Sequence, residues 1–228
     1  MIEIDHICLG VKNVYEGAHR LRAETGLGNY DGGWFPMSGL ANRIVPLGDH
    51  TYIEVEAVVD AHMIPDRSST AAWFNDQVKD GDVYIGWCAR TGSLAELEAA
   101  AKRLNVEVMT TMLKRTPDGT EVGAPRAPAA VTAWKAGVPN FFFFPDLNQH
   151  GSQKRVTGPC PTIPRGLSWI EVGGTAEEMS DWLGQRSDTL ALRFNGDAPG
   201  LYAVAVKTDA GEIVIRRPNA VKLARTAP

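Results

Sequence analysis

The chain has 228 residues, 27 of them acidic and 23 basic, for a formal charge of -4 near neutrality. Lys and Arg are interspersed with Asp and Glu, which leaves no net basic field for phosphates and argues against a nucleic-acid partner. A hydrophobic content of 44% is ordinary for a packed core. No apolar run approaches the roughly 20 residues of a membrane span, and the first residues read as a strand rather than a leader. A cytoplasmic protein without a membrane partner is the expectation. Cys8, Cys88 and Cys160 are far apart and lack C-x-x-C spacing, so neither a disulfide framework nor a structural zinc site is indicated.

Taken in chain order, a β-rich run, a capping residue and an amphipathic helix recur three times. Ile2 to Val11 leads to Asn13 and a helix over 14–24; Val83 to Arg90 leads to Ser93 and a helix over 94–104; Leu167 to Val172 leads to Thr175 and a helix over 176–183. An acidic residue follows each cap by three positions (Glu16, Glu96, Glu178), the pattern in which a carboxylate reaches back to the cap. After the first helix, a turn-rich stretch over 28–33 precedes strands over 42–47 and 51–59, completing a βαβββ module over 1–60. A second module spans 80–145, with strands over 106–112 and 141–144 around a polar, Pro-rich loop at 116–128. The segment 146–165 reads as a surface loop or lid. A third half-module spans 166–217, with strands over 189–194, 201–208 and 212–217, and 218–228 is a tail. The expected class is α+β: paired βαβββ modules forming curved mixed β-sheets with helices on the outer face, plus a third C-terminal βαβ-type half-module. One module leaves a sheet face bare, so the units should form one composite domain.

Strand parity selects the candidate chemistry. Ile2, Ile4, His6, Cys8 and Gly10 alternate onto one face of the first strand, and Tyr52, Glu54 and Glu56 onto one face of the fourth. Ile7, Leu9, Val11, Ile53, Val55 and Ala57 suit the helix side. Two carboxylates and an imidazole then share a face, and burying unpaired carboxylates costs several kcal/mol, so a metal, a base or a ligand is their expected partner. His150, just after the phenylalanine run, is the candidate third donor, and two histidines with one carboxylate suit an open-sided divalent site. Glu56 is an alternative ligand or a general base. Trp34, Phe35, Trp87, Phe141 and Phe143 are the expected apolar walls of a substrate pocket. His19 and His62 read as surface residues and His50 as a turn residue.

The apolar first strand with its D-H pair, Ile4-Asp5-His6-Ile7, and the closing Tyr52-Ile53-Glu54-Val55 strand resemble the vicinal-oxygen-chelate (glyoxalase-like) superfamily. Leu47-Gly48-x-x-Thr51-Tyr52 and Pro139-Asn140-Phe141-Phe142 are similar to a glyoxalase-like subgroup within it, and the resemblance runs from Met1 to about Gly174. It implies His6 and Glu54 as metal positions, a divalent ion (Fe, Mn, Zn or Ni) as cofactor, a small-molecule substrate as partner, and isomerase, lyase or dioxygenase chemistry. It also allows a homodimer. Two departures limit it. Superposing the caps Asn13 and Ser93 puts Gly86 where His6 stands, and Ala41 occupies a position that is histidine in many relatives. Two metal-free alternatives therefore stay open: a small-molecule binding or drug-sequestering protein, and a hydrolase or isomerase using His6 as base.

Overall fold

The computed structural model describes residues 1–109, 113–147, 156 and 160–220. The first unit is β1 (Glu3–Gly10), α1 (Val14–Thr25), β2 (Tyr30–Phe35), β3 (Leu40–Gly48) and β4 (Thr51–Val58), followed by α2 (Thr70–Gln77). The second is β5 (Val83–Arg90), α3 (Leu94–Arg103), β6 (Leu113–Arg115), β7 (Glu121–Gly123), β8 (Arg126–Ala127), α4 (Ala130–Ala136) and β9 (Asn140–Phe142). The third is β10 (Pro164–Val172), α5 (Ala176–Leu183), β11 (Leu192–Phe194), β12 (Leu201–Thr208) and β13 (Gly211–Arg216). Each of the three anticipated caps accepts from the first helical turn: Asn13 from Tyr15 and Glu16, Ser93 from Glu96, and Thr175 from Glu178. The reciprocal box closes at Thr175, where Glu178 reaches back. Glu96 turns instead to the Gly92 N–H and the Met1 ammonium.

The first two units merge into one sheet in the order β7-β6-β2-β3-β4-β1-β5-β9-β8. β1 is its hinge, parallel to β4 and antiparallel to β5. Cys8 pairs with Gly86 and His6 with Cys88, which is the exchange expected if the two strands are related by a twofold axis between them. The pairing therefore agrees with the equivalence that the caps imply between His6 and Gly86. The third unit forms a separate sheet, β11-β10-β12-β13. Its elements form a βαβββ string, with β10 between β11 and β12 and not at an edge, so its wiring differs from that of the first unit.

One apolar core joins the helix side of the large sheet to the second sheet: Ile7, Leu9, Ile53, Leu21, Leu97, Ile170 and Val204 all belong to it. Ile2 and Ile4 lie in this core too, contrary to simple alternation, because the ladder shifts register between Ile4 and His6 and an irregularity of this kind reverses the faces that follow it. A smaller core on the other face packs Cys8, Leu40, Phe74, Ile85, Cys88 and Trp134. Helices α2 and α4 supply Phe74 and Trp134, so helices cover both faces and not the outer one alone. Both are short, at 8 and 7 residues; Ser69 caps α2, but α4 has no side-chain cap, so few of the signals that mark a helix in sequence are present. One expected strand contracts: the start of 189–194 is occupied by a helical turn at Ser187–Thr189. Of 106–112, residues 110–112 lie outside the described residues, and Met109 bridges to Arg126. Among the described residues no helix is long and apolar enough to cross a membrane.

Gly86 makes the symmetry unequal. A Cβ there would stand 2.2 Å from the Trp134 ring, so the indole fills the space that a histidine would need. Gly86→Ala is expected to cost about 1–3 kcal/mol through overpacking, read as a lowered midpoint in urea unfolding; an unchanged midpoint would show that the indole moves aside freely.

Candidate functional site

His6 stands on the central strand with its imidazole almost fully buried. Its Nδ1 is 2.5 Å from Asp5 Oδ1, and its Nε2 faces Glu54 Oε2 at 3.4 Å. The ring stacks on Tyr52, its register partner across the parallel pair, with centroids 4.8 Å apart and planes at 12°. Asp5 is itself wholly buried and receives Arg90 Nη1 at 3.2 Å from β5. Arg90 also bonds Glu3 at 2.5 Å and the His50 carbonyl at 3.2 Å. Glu54 is held from the other side by the Asn42 amide of β3. His6 and Glu54 are thus each fixed by a neighbour whose own position comes from the sheet.

Burial by itself disfavours a charged His6, yet Cys88, Asp5 and Glu54 around it outweigh burial and lift its proton affinity well above the ordinary imidazole value. Glu56, two residues beyond Glu54 on the same face, accepts from the Cys8 thiol at 3.1 Å. Burial, followed by the neighbouring charge of Glu54, raises its pKa to about 8. Glu56 therefore releases its proton at a higher pH than an ordinary glutamate. Cys88 donates to Asn140 Oδ1 at 2.9 Å, and burial pushes both the Cys8 and Cys88 thiols up.

A cavity of about 70 Å³ opens onto this group, lined by His6, Tyr52, Glu54, Phe35, Phe142 and Phe144 together with Lys114 and Arg126. Phe142 and Phe144 are stacked at 5.7 Å, and the Arg126 guanidinium lies 6.0 Å over the Phe142 ring. Phe35 lines this cavity. Phe141 and Phe143 instead pack into the helix-side core, as does Trp87. The register explains the correction: β9 pairs Cys88 with Asn140 and Ala89 with Phe141, so Asn140 and Phe142 inherit the face of Cys88. Trp34 points away from its neighbour Phe35 and borders a groove of about 360 Å³ with Tyr15 and Arg43. Ala41 borders that groove as well, and the β3 side chain that reaches Glu54 is its neighbour Asn42. His150 lies outside the described residues.

Some residues around this cavity are hard to find from sequence. Asp5 is marked by the D-H pair but not as the partner of His6; Arg126 falls within a polar loop because β8 is two residues long, and Asn42 looks like the start of a strand.

The raised pKa of Glu56 has a consequence for stability. The folded state binds this proton more tightly than the unfolded chain, whose carboxyl titrates near 4.5. Its contribution is complete below that value and is lost as pH rises towards about 8. Between these limits the wild type should lose stability that Glu56→Gln retains, as measured by urea unfolding at several pH values. Parallel pH curves for the two proteins would contradict the shift.

The family model described as "Glyoxalase-like domain" matches residues 4–184. No curated protein matches the chain. Among solved structures, a hypothetical protein from Staphylococcus aureus is similar at TM-score 0.58 and 13% identity, over 95% of this chain and 86% of that one. The methylmalonyl-CoA epimerase of Mycobacterium tuberculosis is similar at TM-score 0.44 and 15% identity, over 62% of this chain and 87% of that one. The likeness to the Staphylococcus protein is one of fold, and the family match spans both units of the large sheet and continues through α5. The chain belongs to the glyoxalase-like domain family of the vicinal-oxygen-chelate superfamily.

Proposed function

We propose that the chain is an enzyme acting on a small, apolar or aromatic, oxygenated substrate, with His6 and Glu54 holding a divalent metal ion. The observation that carries this reading is the separation of the two donors. His6 Nε2 and Glu54 Oε2 are 3.4 Å apart, and two ligands with bonds of about 2.1 Å around one divalent ion lie about 3.0–3.4 Å apart. Their support fits as well. Metal-binding histidines commonly hydrogen-bond a carboxylate through the second ring nitrogen, and ligating carboxylates are themselves held; Asp5 and Asn42 stand in those positions. Among the described residues His6 and Glu54 are the two donors that would hold the ion, leaving it open to oxygens of the substrate. A divalent ion there would supply Lewis-acid polarisation of those oxygens and stabilise enolate or oxyanion charge.

The chain's own residues supply binding and orientation. Arg126 and Lys114 at the cavity favour an anionic or strongly polarised head group. Phe35, Phe142 and Phe144 exclude water around it, which strengthens every electrostatic contact inside. Asp5 keeps the imidazole turned so that Nε2 faces the cavity.

The metal-free alternatives are favoured by one observation: among the described residues no three His, Cys, Asp or Glu side chains converge as a ligand set. In those readings His6 and Glu54 remain an ion pair that binds a ligand or moves a proton directly.

Calorimetric titration of chelator-treated protein with Mn(II) and Zn(II) separates the two classes. Stoichiometric binding is expected in the wild type, and its loss in His6→Ala and Glu54→Ala. Asp5→Asn should weaken binding by about 10–100-fold. A wild type that takes up neither ion, or His6→Ala protein that binds as the wild type does, would refute the metal reading and leave the ion-pair readings standing.

A further inference from the structure

The groove beside Trp34 is built on the other face of the large sheet. Register places it there: Arg115, Trp34 and Ala41 stand side by side across β6, β2 and β3, and Ala41 pairs in turn with Ala57 of the helix-side core. Directly paired residues point to one face, so the groove of about 360 Å³ that they border lies on the face opposite His6 and Glu54. The first turn of α1 closes one side with Val14 and Tyr15. Trp34 and Tyr15 keep 38% and 65% of their surface exposed, while the small Ala41 keeps the floor between the walls low. The charged groups around the groove come as ion pairs. Arg43 is held by Asp31 and by Asn29 Oδ1 at 2.6 Å, and its guanidinium lies 5.2 Å over the Tyr15 ring. Arg115 bonds Glu121 at 2.7 Å.

We infer that this groove is a binding site for a neutral pyranose sugar of one or two rings, separate from the site of His6 and Glu54 and independent of the metal reading. Its volume falls in the lower part of the range of about 300–1,000 Å³ that small-molecule sites occupy. The exposed indole and phenol select an amphipathic ring. An aromatic face is electron-rich, so the polarised C–H face of a pyranose packs on it, and the hydroxyl edge stays free for polar neighbours. Charge selects a neutral ligand. Arg43 and Arg115 each already carry a carboxylate partner, which leaves no cationic excess to draw an anion, and a cation would have to part an arginine from its carboxylate. A hydroxyl suits both members of such a pair, because it accepts from the guanidinium and donates to the carboxylate. Arg43 is fixed before any ligand arrives, so little ordering is lost on binding. The groove is open, and hydroxyls that do not reach the protein keep their hydrogen bonds to water.

Calorimetric titration of the full chain with cellobiose, maltose and lactose tests the assignment. At least one of the three should bind at millimolar concentration. Trp34→Ala should weaken that binding about tenfold or more, the loss expected for one aromatic face, and Trp34→Phe, which restores a ring, should recover most of it. Ala41→Leu raises the floor while leaving every aromatic and charged group in place, and it should weaken binding as well. Ala41 is half-buried and Trp34 partly exposed, so urea unfolding of both variants is expected to stay cooperative, which keeps a loss of binding distinct from a loss of fold. No heat with any of the three sugars would overturn the inference. So would sugar binding that is indifferent to both Trp34→Ala and Ala41→Leu, or Trp34-dependent binding of adenosine monophosphate, an aromatic anion, that is tighter than that of any sugar.

Discussion

The buried contact between Asp5 and His6 is the interaction on which the rest of the site depends. Neighbours on a strand normally point to opposite faces, so an aspartate can bond the histidine that follows it only where the strand is irregular. The register shift between Ile4 and His6 provides that. It leaves Ile4 in the helix-side core and brings the Asp5 carboxylate to Nδ1. A buried carboxylate with one partner would be costly; Arg90, reaching across from β5, supplies the second. The orientation of His6 in the first unit is therefore secured by a cation from the second.

That dependence explains why the two units form one site and not two. β1 and β5 pair about an approximate twofold axis, yet the equivalents of His6 and Glu54 are not repeated. Gly86 admits Trp134, and β9 presents Asn140 and Phe142 on the face where β4 presents Tyr52, Glu54 and Glu56. The second half has become structural: it lends Arg90 to the dyad and Phe142 and Phe144 to the aromatic wall. The third sheet completes the burial. It packs on the helix side of the large sheet, so α1 and α3 lie within a shared core and not on an open surface.

Much of this organisation is legible in the amino-acid sequence. Asn13, Ser93 and Thr175 announced three helices because a capping side chain is a local interaction that survives in any context. His6, Glu54 and Glu56 could be placed on one face because period-two alternation within a strand needs no partner. What alternation leaves open is phase where a bulge intervenes, and which face of a short strand looks inward. Ile2 and Ile4 were misplaced for the first reason, and Phe141 and Phe143 for the second, since only the pairing of Cys88 with Asn140 sets the phase of β9. Asn42 and Arg126 enter the site through contacts distant in sequence, made by side chains that look like ordinary surface polar groups until the sheet closes around them.

The central claim, that Asp5 holds His6 in a fixed orientation with Nε2 turned to Glu54, is most directly tested by 15N NMR of the histidine side chains across pH in the wild type and in Asp5→Asn. The account predicts a wild-type His6 that carries its proton on Nδ1 and titrates well above an ordinary imidazole, with the titration falling in the variant. A His6 that titrates near 6.5 in both proteins, or whose Nδ1 carries no proton in the neutral form, would contradict it.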